Sequence, residues 1–516
     1  MPRSGKTRRV LSNDDGWIIG QAEYPLTPEK MWDDMVGPHA GSPIDGFMWS
    51  LGGHDVWDFE TEIGERADRA YEGADDPRAK NRSANLKYLI ENHGGPITVI
   101  ADLCHKAGMD FFPSYRMNEH YDMDESSPGF SRLRRENPHL LIGRGEELPH
   151  PSIEWGIRTG LNYAMAEVRS YMASMILETV ERFDVDGVEL DFMRHPAFFR
   201  IEEARANGYL ITDLLQYVRR RMDEVSDERN KPLDLIVRVP PTITDCHRIG
   251  LDVLAWIDKD LVDVVIAGGG FIAFEAPIRE FVEAAEGTHT QIYGPIEALR
   301  PTVDQRVIRG AASRYWDAGV DGLYLFNYYS MSQEWKRDFL SGLVDKEKLS
   351  RLDKVYETDD RSRLSGTSQL YFSFLNAIPT SQIPVGLEET LSDRGAVVQM
   401  EIPEELDGAK MTLSLLFENL GANDEIELSL NGASLAWGDG DTSSDTWTRE
   451  GYVDGWNSYP TKTETTTVPG ERVDFEIGSP PLARGINDLE IRLVSPDPYR
   501  SEELVLKKVA VSVSFR

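Results

Sequence analysis

Two carboxylates lie two residues apart in the run DGVELD, which spans residues 186–191. Alternate side chains of a β-strand share a face, so Glu189 and Asp191 point to the same side of the predicted strand. A buried carboxylate is costly unless it is paired, hydrogen-bonded or used in chemistry. At the open end of this strand, Asp191 is therefore predicted to act as a nucleophile or general base. Glu189 lies deeper, where an ion pair with Arg238 or Arg116 is the alternative explanation.

Polar and aromatic residues also end the other predicted strands. Arg116 has the planar set of donors that binds a carboxylate or sulfate, and Asn118 and His120 can hold hydroxyl groups. Aromatic side chains at such positions offer a flat apolar surface with a polar tip. Together these residues are more than stability alone requires, which indicates a binding site. The other residues predicted to line it are Asn13, Trp49, Glu189, Arg194, His195, Arg238, Tyr293, Asn327 and Tyr328.

The elements that carry these residues alternate between short β-rich runs and helical patterns, which is typical of a parallel α/β architecture. In the run from residue 166 to 183, apolar residues recur at spacings of three and four, which predicts a helix with one buried face. Eight such units predict a (β/α)₈ TIM barrel with its working groups at the carboxyl ends of the strands. A doubly wound sheet is the alternative, but no Gly-x-Gly-x-x-Gly follows a strand. The predicted strands are 8–13, 44–50, 109–115, 185–192, 233–239, 261–268, 290–296 and 320–327.

The chain changes character after Tyr356, where a polar stretch is typical of a linker. Beyond it, alternating runs such as KMTLSLLFE and EIELSLNG are separated by turn residues, which predicts an antiparallel, jelly-roll-like β-sandwich. The predicted domains are a barrel over residues 1–355, a linker over 356–366 and the sandwich over 367–516. Aromatic residues of the sandwich such as Trp437 could contact a ligand, but we favour a bracing or assembly role. Oligomerisation through the sandwich is possible.

Charge argues against two classes of partner. The sequence has 88 acidic and 55 basic residues, which gives a net charge of -33. A field of that sign repels nucleic acid and anionic membranes, so neither is an expected partner. No apolar run approaches the roughly 18 residues of a membrane span. The start MPRSGKTRRV lacks the apolar region of a secretory signal, which predicts a cytoplasmic protein, or a secreted or periplasmic one if a leader has been removed.

The run FDVDGVELDFMRHP (183–196) resembles the fourth-strand motif of glycoside-hydrolase-like TIM barrels, a group with the pattern Asp-Gly-x-x-x-Asp-x-x-Arg-x-Pro. The runs NYA (162–164) and SYRMNEHYD (114–122) are also similar to that group, and the resemblance covers about residues 8–340. It implies hydrolysis of glycosidic bonds in an oligo- or polysaccharide. In chitinase-type barrels a related run ends in the acidic Glu. Here Met193 stands at that position, so the proton donor must come from another strand.

Glycosidases of this kind need two carboxyl groups, of which one stays protonated to act as the acid. With Asp191 as nucleophile or base, we predict Glu297 after the seventh strand as the acid, with Asp245 and Glu275 as alternatives. The arginines near this site favour an acidic sugar, such as a uronic or sulfated one.

Two other functions stay open. A barrel that has lost its acid could be a non-catalytic carbohydrate-binding protein, and Met193 supports that alternative. His120, Asp122 and His195 could instead bind a metal in a metal-dependent hydrolase or lyase, but they match no recognised ligand spacing. We therefore expect a carbohydrate substrate as the partner, and neither a metal nor another cofactor.

Overall fold

The computed structural model describes residues 3–53, 55–118, 125–149, 152–268, 276–297, 304–328, 331–359, 382–388, 395–452 and 463–515. Its first part is a closed barrel of eight parallel strands that follow one another in chain order, so the predicted TIM barrel is confirmed. Three short strands in the loop after the second barrel strand form a separate small sheet (Gly52–Gly53, Val56–Trp57 and Glu65–Arg66). The barrel strands are β1 (Val10–Asp14), β2 (Ile44–Ser50), β3 (Asp110–Arg116), β4 (Gly187–Asp191), β5 (Asp234–Val239), β6 (Val264–Ala267), β7 (Gln291–Glu297) and β8 (Gly322–Phe326).

Helices surround the barrel and connect its strands. None of the described helices has the length and apolar character that crossing a membrane requires. The main helices are α1 (Pro77–His93), α2 (Pro96–Ala107), α3 (Ala166–Arg182), α4 (Ile201–Arg229), α5 (Arg279–Ala285), α6 (Gln305–Ala318) and α7 (Gln333–Val344). Shorter helices span Ile18–Gln21, Pro28–Met31, Ala67–Ala70, Arg132–Glu136, Ile153–Ile157, Ile243–Arg248, Val253–Asp258 and Lys346–Ser350, with single tighter or wider turns at Trp32–Val36, Gly37–His39, Pro138–Leu140 and Trp437–Asp439.

The barrel interior is filled by alternate residues of the strands, as a side-chain period of two requires. At the amino ends of the strands, Arg8 forms ion pairs with Asp110 (2.8 Å) and Asp234 (2.9 Å) and closes the barrel. The polar residues of interest therefore lie above an apolar floor, at the carboxyl ends. That floor consists of Leu11, Met48, Phe112, Ile236, Val264, Ile266, Tyr293, Tyr324 and Phe326.

The Asp-Gly pair before β4 has a steric reason. Gly187 has a φ of 149°, and a Cβ at this position would lie 1.9 Å from the carbonyl oxygen of Asp234. Only glycine allows β4 to approach β5 this closely. The carboxylate of Asp186 accepts the backbone N–H of Phe111 (2.9 Å) and ties the start of β4 to β3. These contacts fix the register of β4, and with it the depth of Glu189 in the barrel.

Two antiparallel sheets form the predicted β-sandwich. The larger sheet has the order β9-β18-β12-β16-β15, with β10 beside β18, and the smaller sheet has the order β11-β17-β13-β14. Apolar residues from both sheets, such as Leu413 and Ile491, are buried between them. The strands are β9 (Lys354–Asp359), β10 (Val385–Gly386), β11 (Ala396–Ile402), β12 (Lys410–Glu418), β13 (Glu425–Leu430), β14 (Ala433–Leu435), β15 (Asp441–Tyr452), β16 (Thr463–Ile477), β17 (Gly485–Ser495) and β18 (Val505–Ser514).

The sandwich begins earlier than the sequence indicated. Strand β9 is hydrogen-bonded to β18 over its whole length, so residues 356–359 belong to the larger sheet and not to a linker. Residues 360–366 of the predicted linker lie outside the described part of the chain. At the junction, the buried ammonium group of Lys354 lies 3.3 Å from the carboxylate of Glu404. The same carboxylate accepts a hydrogen bond from the hydroxyl of Ser313 in α6, so this buried group links the sandwich to the barrel.

Candidate active site

Asp191 ends β4 inside the barrel, but its side chain is only 2% exposed. Its carboxylate accepts hydrogen bonds from Nε (2.9 Å) and Nη2 (2.8 Å) of Arg238. Its Oδ1 also accepts the backbone N–H groups of Met193 (2.9 Å) and Arg194 (3.0 Å). Asp191 therefore anchors Arg238 and the loop after β4. This placement differs from the expected one at the open mouth, because the arginine of the neighbouring strand reaches the carboxylate and covers it.

Glu189 lies one layer deeper and is fully buried. Its Oε2 accepts a hydrogen bond from Nδ2 of Asn13 (2.7 Å), and its Oε1 accepts one from the hydroxyl of Tyr324 (2.9 Å). Burial raises the pKa of Glu189, and the negative charge of Asp191 raises it further. Neutral donors hold this carboxyl group, whereas the sequence indicated an ion pair with one of two arginines. Asn13, which was predicted to contact the ligand, is therefore a buried partner of Glu189 below the mouth of the barrel.

Asp15 follows β1 and is the most exposed carboxylate of this group. Its side chain is 21% exposed, compared with 2% for Asp191. One oxygen pairs with Arg116, and the other accepts a hydrogen bond from Nδ2 of Asn327 (2.9 Å). Burial alone would raise the pKa of Asp15, but the charges of Arg116 and Arg194 outweigh burial and lower it below its ordinary value. Asp15 is therefore an ionised, partly exposed carboxylate at the barrel mouth.

The loop after β4 carries two of the predicted residues. Arg194 is partly buried, and His195 is buried with a backbone φ of 56°. The side chain of Asn118 donates hydrogen bonds to the carbonyl oxygens of Ala197 and Leu161, and it accepts the N–H of Leu161 (2.8 Å). Asn118 thus holds two loop segments together. Its amide is engaged by backbone groups, which differs from the predicted contact with substrate hydroxyls.

Three other predicted ligand contacts are buried within the fold. Trp49 is fully buried in the core between the strands and the helices. Tyr293 points into the barrel at the opposite end, where its hydroxyl donates to the carbonyl oxygen of Arg8 (2.7 Å). Tyr328 is buried and stacks on Trp335 of α7, with 5.2 Å between the ring centroids. The sequence-based assignment of these three residues to the binding site is wrong, because each is packed within the fold.

Several predicted residues fall outside what the structure describes. The backbone of Glu297 ends β7 at the carboxyl end of the barrel, but its side chain is outside the described part. Asp245 is described and is buried at the start of a short helix, where burial raises its pKa. Within the described ranges, no three His, Cys, Asp or Glu residues are grouped so that they could hold a metal ion. The predicted residues wholly outside these ranges are His120, Asp122 and Glu275.

The sequence reasoning did not single out Asp15. The available signal was alternation, since Asp15 lies two residues beyond Asn13, which also faces the barrel interior. The neighbouring Asp14 concealed it, because two consecutive acids give no indication of which one points inward. Asp14 points outward, where burial raises its pKa to about 7.

No protein-family model and no curated protein matches the chain. The PgaB (BpsB) glycoside hydrolase domain from Bordetella bronchiseptica is similar in fold, with 11% identity and a TM-score of 0.41, over 66% of this chain and 99% of that domain. A glycoside hydrolase family 18 N-acetylglucosaminidase from Paenibacillus barengoltzii matches with 10% identity and a TM-score of 0.35, over 66% of this chain and 99% of its own. Alpha-L-fucosidase isoenzyme 2 from Paenibacillus thiaminolyticus matches with 10% identity and a TM-score of 0.39, and this chain spans about half (49%) of its length. Such distant similarities assign no role to any residue of this chain.

Proposed function

We propose that this chain is a glycoside hydrolase that cleaves glycosidic bonds in an oligo- or polysaccharide by means of two carboxyl groups. The observation that carries the proposal is the carboxylate of Asp15, which is ionised, partly exposed and located at the carboxyl ends of the barrel strands. Barrel enzymes bind their substrates and place their reactive groups at this end.

Asp15 has the properties of the nucleophile or general base. Arg116 and Asn327 engage its two oxygens, and its lowered pKa keeps it ionised at neutral pH. Such a carboxylate can attack the anomeric carbon or activate a water molecule, and its charge stabilises an oxocarbenium-like transition state. Asp191, for which the sequence indicated this role, acts in the proposal as a positioning residue that holds Arg238 and the loop after β4.

Glu297 remains the predicted proton donor, because its backbone ends β7 at the same end of the barrel. A general acid must keep its proton near neutral pH, which requires a raised pKa. Burial raises the pKa of Glu189 in the interior of the same barrel, which supports a protonated carboxyl group in this part of the molecule. Glu189 itself is fully enclosed, which makes it a support for the layer above and not the donor.

The proposed substrate carries an acidic or sulfated sugar at the cleavage site. Arg116 and Arg194 contribute two positive charges to the described part of the mouth, and Asp15 contributes one negative charge. Below them, Arg238 and Asp191 neutralise each other in their buried ion pair. The mouth therefore has a positive excess in a chain whose net charge is -33. Guanidinium groups bind carboxylate and sulfate groups through paired hydrogen bonds, which supports this substrate class.

The test is hydrolysis of a panel of soluble glycans: pectin, alginate, glucuronoxylan, carrageenan, arabinoxylan and mannan. New reducing ends are quantified over time. We expect release from at least one acidic or sulfated member, and we expect Asp15→Asn to lower kcat by about 100-fold or more. The matched control is Asp45→Asn, since Asp45 is also partly exposed (29%) and paired with an arginine, but at the amino ends of the strands. Unchanged kcat in Asp15→Asn would remove that residue from the reaction.

A non-catalytic carbohydrate-binding protein is the second candidate. The buried ion pair between Asp191 and Arg238 favours it, because Asp191, the carboxylate of the run that resembles the glycoside-hydrolase motif, is not accessible to a substrate. A binder would retain affinity for a glycan of the panel without releasing reducing ends. Asp15→Asn would then change affinity alone.

A further inference from the structure

A groove of about 300 Å³ lies between the start of α6 and the outer face of the larger sandwich sheet. Its floor consists of small side chains that point away from the sandwich core, namely Ser414 of β12 with Ala510 and Ser512 of β18. Val307 of α6 and Val355 of β9 meet at the base of the groove, where the two domains pack together. The groove is therefore formed by both domains.

The groove lies at the same end of the molecule as the barrel mouth. Helix α6 begins after the loop that follows β7, so its first turn lies at the carboxyl ends of the barrel strands. Asp304 caps this turn, Arg306 lies in it, and both line the groove. The segment from Glu297 to Asp304 spans at most about 25 Å even when fully extended. The groove therefore begins within about 25 Å of the end of β7 at the barrel mouth, a distance that a chain-like ligand can cover.

Charged side chains around the groove occur as acid–base pairs, so the positive and negative charges cancel. Each pair presents both hydrogen-bond donors and acceptors. Sugar hydroxyl groups also donate and accept, and paired acids and bases can satisfy both functions. In a chain with a net charge of -33, a balanced polar groove fits a neutral, hydroxyl-rich ligand better than an ion. The pairs are Arg306–Asp304 (2.6 Å), Arg472–Asp445 (3.4 Å) and Lys508–Glu357.

Strands β15 and β16 continue beyond the groove. Strand β12 pairs with β16 only as far as Glu471, whereas β15 pairs with β16 as far as Thr463. Among the described residues, the outer part of these two strands is therefore a two-stranded ribbon. Neighbouring strands of the larger sheet are antiparallel, so β15 runs in the same direction as β9. Asp445 of β15 lines the groove, so the ribbon extends beyond the groove in the direction in which β9 runs.

We propose that this groove is a second sugar-binding site, which holds neutral units of the glycan whose acidic or sulfated unit occupies the barrel mouth. The inference rests on the proposed function and deepens it. The substrate is a polysaccharide or long oligosaccharide, and the sandwich binds the part of the chain that leaves the barrel.

Two pairs of matched variants test the site. Ser414→Leu fills the floor, and Ser429→Leu makes the same change on the outer face of the smaller sheet. Arg472→Met removes a groove arginine, and Arg492→Met removes a similarly exposed, ion-paired arginine from the other sheet (39% exposed, compared with 45% for Arg472). Affinity is measured by native electrophoresis in gels that contain glucuronoxylan, pectin, alginate, arabinoxylan or mannan. The initial rate of hydrolysis is measured on an aryl uronide and on each polysaccharide.

We expect the two groove variants to weaken retention by a polysaccharide about tenfold, which corresponds to the loss of one good hydrogen-bonding contact. The two controls should match the parent protein, and hydrolysis of the aryl uronide should not change. Equal retention of groove and control variants, or no retention of the parent protein by any of the polysaccharides, would overturn the inference. Lost retention in a protein that hydrolyses nothing would refute the proposed function and keep the sugar site. If the protein hydrolyses a polysaccharide but the groove variants change neither retention nor hydrolysis, the sugar site in the groove is refuted and the proposed function is kept.

Discussion

Asp15 and Asp191 both lie at the carboxyl ends of the barrel strands, and each is paired with an arginine. The difference is access: the side chain of Asp15 is 21% exposed and that of Asp191 is 2% exposed. A carboxylate that reacts with a substrate must be accessible from solvent, whereas one that holds an arginine in place need not be. The same pair of residue types therefore provides a candidate reactive group in one case and a structural anchor in the other.

Loss of the charge of Asp191 should destabilise the fold. Asp191→Asn leaves the guanidinium of Arg238 buried without a counter-charge, and breaking one side of a buried ion pair costs about 3–5 kcal/mol. Equilibrium urea unfolding measures this cost. Asp445→Asn breaks an exposed pair with Arg472 and should cost no more than about 1 kcal/mol. A cost for Asp191→Asn as small as that of the control would contradict the anchoring role.

Glu60 should make stability fall as the pH rises. Among the described residues, its buried carboxyl group has no hydrogen-bond partner on another residue, and burial raises its pKa from 4.5 to about 7. A raised pKa means that the folded state disfavours the ionised form, so the destabilisation is absent below about pH 4.5 and complete above about pH 7. The shift corresponds to about 3 kcal/mol. Glu60→Met should therefore stabilise the protein at about pH 8 and much less at about pH 5.

Urea unfolding of the parent protein and of Glu60→Met at both pH values isolates this group, because all other titrating groups are shared. Glu62→Met is the matched control, since the side chain of Glu62 is 79% exposed. A gain from Glu60→Met that does not depend on pH would refute the assignment.

At the scale of elements, the alternation of side chains along a strand predicted that some residues would face the barrel interior. It did not always predict which residues these would be. Glu189 and Asp191 face the interior as the period of two indicated, since both contact inward-pointing groups. In IDGFMWS, apolar residues occupy both sides of β2, so the pattern does not reveal that Trp49 faces the helices. The sequence also did not determine which carboxylate pairs with Arg238, because a long side chain can reach residues in more than one layer of the barrel.

Helix α6 should not tolerate a larger residue where it touches β9. A Cβ at Gly310 would lie 2.4 Å from the carbonyl oxygen of Val355. Alanine normally stabilises a helix interior by about 1 kcal/mol relative to glycine, but here it would push the sandwich away from the barrel. We expect Gly310→Ala to cost about 1–3 kcal/mol of unfolding free energy in urea. Gly342→Ala in α7 is the matched control, because its nearest neighbour would lie at an ordinary 3.6 Å. Equal effects of the two substitutions would contradict the close contact.

At the scale of the whole molecule, composition predicted two domains, and hydrophobic patterns predicted their classes. The boundary was the part that the sequence concealed. Residues 356–359 look polar because β9 lies at the edge of its sheet, and one of them, Glu357, is paired with Lys508. A strand that contains charged residues resembles a linker in sequence as long as the partners of those residues are unknown. Here the partner, Lys508, is about 150 residues away in the chain.

The net charge of -33 leads to a prediction for the whole molecule. Repulsion among like charges opposes the compact state, and salt weakens it, since the screening length falls from about 30 Å at 0.01 M to about 3 Å at 1 M. Salt also weakens the exposed ion pairs, but each contributes at most about 1 kcal/mol and many contribute nothing. Repulsion should dominate, so the urea midpoint should rise between about 0.02 M and 0.5 M sodium chloride at neutral pH. At about pH 5, where protonation of carboxylates reduces the negative charge, the rise should be smaller. A midpoint that falls with salt at neutral pH would mean that attraction between paired charges outweighs the excess of acids.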